Sequence, residues 1–344
     1  METFIGKVSH ENDIWYDRDI FVSKLKELEK IAKSKKSNEP TKCQYNDGFI
    51  TSKIYYIGDT FWDDSVIHYV TKHDAKPSNE FIDFVFRFNT AKRPRKRIIG
   101  KLNGELVVKY DKTFMKLDRN QILIMDALLE HGSYKIYKYK NKKEYKYSEH
   151  YGLLDFDNHG LNHFLISGKT TLIDENDNDI FLPKNMKEAN DYEYMFHTHP
   201  PTPTPGARAI IGILYEYPSV SDMLHYIDHY NSGRTQGSIV IAPEGMYIIH
   251  KLDFDDKKIV IDEDMMVNAY DRITRKNQHD AIKKYTINIT QDIFYNDIAQ
   301  ETKYITAINK ALKPFDLSIQ YYPRIKEDNK WIIDTIYLPI YVVD

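Results

Sequence analysis

The chain has 344 residues, 42 % hydrophobic, 13 % aromatic and 29 % charged, too apolar for a disordered chain and long enough for about two domains. Forty-eight Lys and Arg face fifty-one Asp and Glu, a net charge of −3, so no global field draws the protein to nucleic acid or to an anionic membrane. The single cysteine, Cys43, excludes an internal disulfide framework, a multi-cysteine zinc ribbon, an iron–sulfur cluster and the His/Cys/Cys zinc site of nucleobase deaminases.

No apolar leader follows Met1 and no run of about 18 apolar residues occurs, so the expectation is a soluble cytoplasmic protein. Residues 17–36 carry apolar side chains near helical spacing, with acids at the front and lysines at the back, which predicts a first helix. The runs Phe49-Ile50-Thr51, Ile54-Tyr55-Tyr56-Ile57 and Phe81-Ile82-Asp83-Phe84-Val85-Phe86 read as strands. An N-terminal α+β module over residues 1–108 follows from these. The basic cluster Lys92-Arg93-Pro94-Arg95-Lys96-Arg97 at its edge reads as a solvated linker, since Pro94 interrupts it and no aromatic stacking pattern is interleaved.

Residues 117–132 have the marks of a helix: Asp118 can cap its start and Gly132 can supply a left-handed stop. The Lys- and Tyr-rich stretch 134–147 alternates like a half-exposed hairpin with its turn near Asn141-Lys142-Lys143. Strands are predicted at 150–156, 163–167, 170–173 and 192–198, a helix at 219–231, and a strand pair at 238–241 and 246–249. Together they make an α/β domain over 109–254. The tail, 255–344, reads as helices at 263–284 and 291–312 and strands near 317–322 and 331–342, with Glu327-Asp328-Asn329-Lys330 as the turn between them.

Three short segments carry chemistry. In Tyr194-Met195-Phe196-His197-Thr198-His199-Pro200, two histidines at i and i+2 on a strand point both rings to one face. In Pro218-Ser219-Val220-Ser221-Asp222, Ser219 can cap a helix while Asp222 is held rigidly in its first turn, as a metal ligand must be. In Ser148-Glu149-His150-Tyr151-Gly152-Leu153-Leu154, an acid stands before a glycine-containing apolar strand. His150 falls on the opposite strand face from Glu149. His225 and His229 stand i, i+4 on the helix after Asp222, but no acidic partner accompanies them at a suitable spacing.

Each segment alone is ordinary, but in this order they resemble the JAMM/MPN+ zinc metallopeptidase family, whose pattern is a Glu before a Gly-x-Leu-like strand, then His-x-His-Pro, then Ser-x-x-Asp. The resemblance covers about residues 115–252. It implies an MPN core, a mixed sheet flanked by helices, with the N-terminal α+β and C-terminal αα-ββ parts as additions. It further implies Zn2+ held by His197, His199 and Asp222, zinc-bound water as nucleophile, Glu149 as general base and acid, and Ser219 as hydrogen-bond donor to the oxyanion. The activity so implied is hydrolysis of an isopeptide or peptide bond, with a ubiquitin or ubiquitin-like conjugate as partner; from the charge balance, neither nucleic acid nor membrane is an expected partner. One departure stands out: residues 201–218 separate His-x-His-Pro from Ser-x-x-Asp where the family has only a few residues, which implies a lid or docking loop. The alternative reading is an MPN-fold scaffold within a larger protein assembly, with little or no catalysis.

Overall fold

The computed structural model describes residue 15 and residues 17–340, except 59, 89–96, 103–104, 110–112, 134, 140–141, 158–159, 173–191, 202–203, 233–234, 253–256 and 286–288. The chain divides into two compact units, one of residues Met1–Met115 with Tyr337–Asp344, the other of Lys116–Ile336. The 254/255 boundary read from the sequence therefore falls inside the second unit.

The first unit opens with helix α1 (Arg18–Ile31), whose Phe21, Val22, Leu25 and Leu28 form one buried face. Where one helix to residue 36 was expected, the chain turns extended at Ala32 and enters strand β1 (Lys33–Lys36). Strands β2 (Lys53–Ile57) and β3 (Thr60–Asp63) complete a three-stranded antiparallel sheet in the order β1-β2-β3. Helix α2 (Ser65–Lys72) follows.

The run Phe81–Phe86, expected as a strand, lies in helix α3 (Asn79–Arg87). Ser78 caps it by accepting from the Phe81 N–H, and Phe81, Ile82, Val85 and Phe86 are buried while Asp83 and Arg87 are not. That spacing fits a helical face as well as an apolar run fits a strand, and the cap decides between them. These side chains pack with Phe21, Trp62 and Tyr337 into one aromatic core. Strands β4 (Arg97–Leu102) and β5 (Glu105–Lys109) pair with each other, and β6 (Thr113–Leu117) closes the segment. The basic cluster lies outside the described residues up to Lys96; Arg97 begins β4.

The second unit begins with helix α4 (Arg119–Gly132), started by a reciprocal capping box in which the Asp118 carboxylate accepts from Gln121 N–H and the Gln121 side chain accepts from Asp118 N–H. Gly132 is the last helical residue, not a left-handed stop; Ser133 caps the end. A Cβ at Gly132 would stand 2.1 Å from the Ser148 carbonyl oxygen, so the glycine serves close approach of helix to strand. Strands β7 (Lys135–Tyr139) and β8 (Lys142–Lys146) form the expected hairpin.

Six strands then build the main sheet: β9 (Ser148–Asp157), β10 (Gly160–Leu172), β11 (Tyr194–Thr198), β12 (Gly237–Ile241), β13 (Gly245–Lys251) and β14 (Leu317–Pro323). The order is β10-β9-β11-β12-β13-β14, with β11 and β12 parallel and every other pairing antiparallel. It is a mixed sheet, as expected, but its sixth strand comes from the C-terminal segment. The two strands expected at 163–167 and 170–173 are one, irregular in register between Ile166 and Thr170.

Helix α5 (Val220–Ser232) connects the parallel pair, as parallel strands require a crossover. Helix α6 (Glu263–Lys284) runs over the range read from the sequence. The second tail helix is broken into a turn at Gln291–Ile293, a π-helical stretch Phe294–Ile298 and helix α7 (Lys303–Leu312). Helices α5, α6 and α7 bury Tyr226, Tyr270 and Ile308 against Val240, Tyr247, Ile249 and Ile319. The alternating residues Ile239, Ile241, Met246 and Ile248 are buried too, so β12 and β13 are covered on both faces. The turn in Glu327–Lys330 joins the short strands β15 (Ile325–Glu327) and β16 (Lys330–Ile332), and Asp328 and Asn329 supply the positive φ that a glycine would otherwise provide. Strand β17 (Ile336–Ile340) pairs with β6.

Candidate metal centre

Strand β11 carries His197, and His199 follows directly after its end. Tyr194–Thr198 is fully buried along its length, and beyond the strand the His199 N–H still donates to the Ile241 carbonyl at 2.8 Å, which fixes the backbone that carries the second ring. The two rings meet with Nε2 to Nε2 at 3.0 Å. Antiparallel pairing sets Tyr151 opposite His197, and continuing that register brings Glu149 opposite His199. Gly152 is needed here: a Cβ would stand 2.1 Å from the Phe196 ring and 2.3 Å from the Leu165 carbonyl oxygen.

Asp222 enters from the first turn of α5. Its Oδ2 accepts from the Ser219 N–H at 2.6 Å, and the Ser219 Oγ accepts from the Asp222 N–H at 3.2 Å. Helix capping thus pins the carboxylate. Oδ1 lies 3.1 Å from His197 Nε2 and Oδ2 lies 3.5 Å from His199 Nε2. One ligating atom from each of His197, His199 and Asp222 can be chosen so that all lie within 4.8 Å of one another. Glu149 stands just outside this set, its Oε1 3.9 Å from His199 Nε2 and its Oε2 accepting from the Tyr151 hydroxyl at 2.6 Å.

The three groups also lie within hydrogen-bonding reach of one another, His197 Nε2 touching both His199 Nε2 and Asp222 Oδ1. The His199 Nδ1–H donates to the Glu216 carbonyl at 3.2 Å, so in the neutral tautomer Nε2 is an unprotonated lone pair aimed at His197 and Asp222. Burial disfavours a charged His199, yet Glu149, Asp222 and Glu216 outweigh it and raise the imidazole above its usual range. Burial likewise opposes the Asp222 charge, but the His197 and His199 rings and the Ser219 N–H hold the carboxyl well below the usual carboxylate range. A lone pair backed by a carbonyl, a second imidazole and a fixed carboxylate could together hold a divalent cation.

Sequence reasoning did not find the residues that support this set. Glu216 bonds His199 through its backbone carbonyl, which any residue could offer, and its side chain accepts from Arg208 at 3.0 Å. Glu244 is fully buried, accepts from the Glu216 N–H at 2.7 Å and from the Tyr247 hydroxyl at 2.6 Å, and is pushed by burial up to about 7. Tyr151, by contrast, was available from the period of two on a strand. His150 faces away and contacts His131 at 3.0 Å; His225 and His229 take no part in the cluster.

Beside the cluster opens a cleft of about 1360 Å³, lined by Glu149, His199, Ser219 and Asp222 and by the inserted residues Arg208 to Ile213. Within the insert, Ala207–Ile211 forms a 3-10 turn between Gly206 and Gly212, both at positive φ. Ile210 and Ile211 are 91 % and 67 % exposed. Among the described residues, no helix is long and apolar enough to cross a membrane.

Comparison with known proteins gives a relative but no named activity. A mimivirus protein, "Uncharacterized protein R413" of Acanthamoeba polyphaga mimivirus, is 31 % identical over 355 residues, covering 98 % of each chain. The chain belongs to the family of that protein. No protein-family model and no solved structure matches it. The match runs through the N-terminal unit and the C-terminal segment as well as the stretch that carries the cluster.

Proposed function

We propose that residues from about 115 to 252 form an MPN-type core and that the protein is a zinc-dependent isopeptidase or peptidase of JAMM type, deubiquitinase-like, whose substrate is a conjugate of ubiquitin or a ubiquitin-like protein. The observation that carries this reading is the grouping of His197, His199 and Asp222 with Glu149 beside but outside the ligand set. Two imidazoles and one carboxylate leave a tetrahedral ion an open position, the pattern of catalytic rather than structural zinc. Bound there, zinc would supply Lewis acidity and lower the pKa of a bound water to about 7.

The chain's own groups supply the rest. Tyr151 holds Glu149 by one oxygen, leaving the other on the His199 side to take a proton from water and return it to the leaving amine. Ser219 Oγ donates to the attacked carbonyl oxygen as it gains negative charge; its partner at rest is Ser221 Oγ, 2.7 Å away. The cleft, about 1360 Å³, exceeds the roughly 300–1,000 Å³ of small-ligand pockets and suits a length of polypeptide. The exposed Ile210 and Ile211 give it an apolar rim for a folded substrate. They equally favour the second reading, a scaffold that docks partners through this loop.

The deciding experiment is cleavage of a panel of linkage-defined diubiquitins by the zinc-loaded full chain. Turnover that a chelator abolishes and added zinc restores supports the enzyme. A protein that binds no zinc yet co-sediments in a large complex is the scaffold.

A further inference from the structure

The N-terminal unit holds a second convergence of ligating side chains, made of Cys43, Asp47, His68 and His73. His73 Nε2 lies 3.4 Å from Cys43 Sγ, 2.8 Å from Asp47 Oδ2 and 3.3 Å from His68 Nε2, and His68 Nε2 lies 2.9 Å from Asp47 Oδ2. An imidazole Nε2 carries at most one proton, so a hydrogen bond explains one of the three neighbours of His73 Nε2 and leaves two unexplained. One cation at the common point explains all of them.

The surroundings hold these four groups in place. The segment around Cys43 folds back on itself: Cys43 N–H donates to the Phe49 carbonyl, Thr51 N–H to the Thr41 carbonyl, and Asn46 and Gly48 adopt positive φ between them. Asp47 Oδ1 accepts from the Phe49 N–H at 3.1 Å, which turns Oδ2 toward the two rings. His68 lies on α2 and His73 caps its end. The His68 ring stacks on Phe49 and the His73 ring on Tyr45, each with centroids 4.1 Å apart. Both imidazoles are therefore clamped by aromatic rings from the segment that carries the cysteine and the aspartate.

We infer that Cys43, Asp47, His68 and His73 form a closed, structural zinc site. The spacing is Cys-x3-Asp followed by His-x4-His, which matches the separations of Cys2His2 zinc sites with aspartate in place of the second cysteine. Thiolate and carboxylate contribute two negative charges, which one Zn2+ neutralises, and the soft sulfur with two imidazoles selects zinc over magnesium or calcium. Tetrahedral zinc at ordinary bond lengths separates its ligand atoms by about 3.3–3.6 Å. The two contacts to Asp47 Oδ2, at 2.8 and 2.9 Å, need to open by about half an ångström, while those at 3.3 and 3.4 Å already fit. Four protein ligands leave no open position, so this ion ties the 41–51 loop to α2 and does no chemistry.

The test is zinc content and thiol protection in the full-length chain after loading with zinc and desalting. A His197→Ala/Asp222→Asn variant, stripped of two ligands in the second unit, keeps one zinc per chain. Its single thiol resists a thiol reagent until a strong chelator is added, then reacts at least tenfold faster. Loaded with cobalt, the same variant shows thiolate-to-cobalt charge-transfer absorption, which is lost when Cys43→Ser is added. No zinc in the double variant, no charge-transfer band, and equal thiol reactivity with and without chelator overturn the inference. A wild-type chain whose only zinc survives in the double variant supports this site and removes the one at His197, so the two assignments fail separately.

Discussion

Replacing Glu149 by glutamine tests the division of labour at the cluster. Glutamine matches glutamate in shape and can still accept from the Tyr151 hydroxyl, now 2.6 Å from Oε2, so position and packing are kept. The Glu149 side chain is 22 % exposed and lies 3.9 Å from His199 Nε2, too peripheral for its neutralisation to unfold the sheet. What disappears is the capacity to take a proton, a contribution of about 10²–10⁴-fold, which corresponds to roughly 2.7–5.4 kcal/mol of activation free energy. The assay is steady-state cleavage of the best diubiquitin substrate, with zinc content measured on the same preparation. The expected result is a fall of that size in kcat with KM within about twofold and zinc unchanged, the signature of an interaction made in the transition state. Wild-type kcat in a zinc-replete Glu149→Gln protein would refute the role given to this residue.

Other consequences can be measured independently. Tyr151→Phe removes the bond that orients Glu149, and since hydrogen bonds to charged groups contribute about 1.5–3 kcal/mol, kcat should fall by roughly tenfold or more with zinc binding intact; an unchanged kcat would exclude the positioning role. Gly152→Ala sets a methyl 2.1 Å from the Phe196 ring and 2.3 Å from the Leu165 carbonyl, an overpacking that costs about 1–3 kcal/mol and should appear as a lowered urea midpoint. Asp126→Ala leaves the buried Arg324 without the carboxylate it contacts at 2.7 and 3.0 Å, which should cost about 3–5 kcal/mol in denaturant unfolding. Glu244 has its folded pKa raised from 4.5 to about 7, so its contribution is fully present below pH 4.5, where both states are protonated, and is lost as pH rises to about 7, by at most roughly 3 kcal/mol. In zinc-free protein, Glu244→Gln should flatten the decline in stability between pH 5 and 8; identical pH slopes would contradict it.

Elements whose ends carry their own chemistry could be read directly. Asp118 marks the start of α4, and α6 covers Glu263–Lys284 as expected. Phe81–Phe86 misled because six mostly apolar residues satisfy either period, and only Ser78 discloses the helix. The break at Phe294–Ile298 carries no proline or glycine; burial of Phe294, Tyr295 and Ile298 accompanies it, and this depends on partners distant in sequence. At the cluster, His197, His199 and Asp222 sit at a strand end and a helix start, where local spacing sets the direction of each side chain. Glu216 and Glu244 act through a backbone carbonyl and a buried long-range contact, neither of which leaves a local pattern. Cys43 showed the opposite failure: counting cysteines ruled out multi-cysteine sites, while a mixed set with Asp47, His68 and His73 needed the loop and α2 brought together.

The most direct measurement is anomalous X-ray scattering at the zinc edge from crystals of the zinc-loaded chain. The account predicts a peak bonded by His197 Nε2, His199 Nε2 and an Asp222 oxygen at about 2.0–2.2 Å, with Glu149 nearby and unbonded. Zinc-replete crystals with no peak between those three side chains, or with Glu149 as a ligand in place of Asp222, would contradict it.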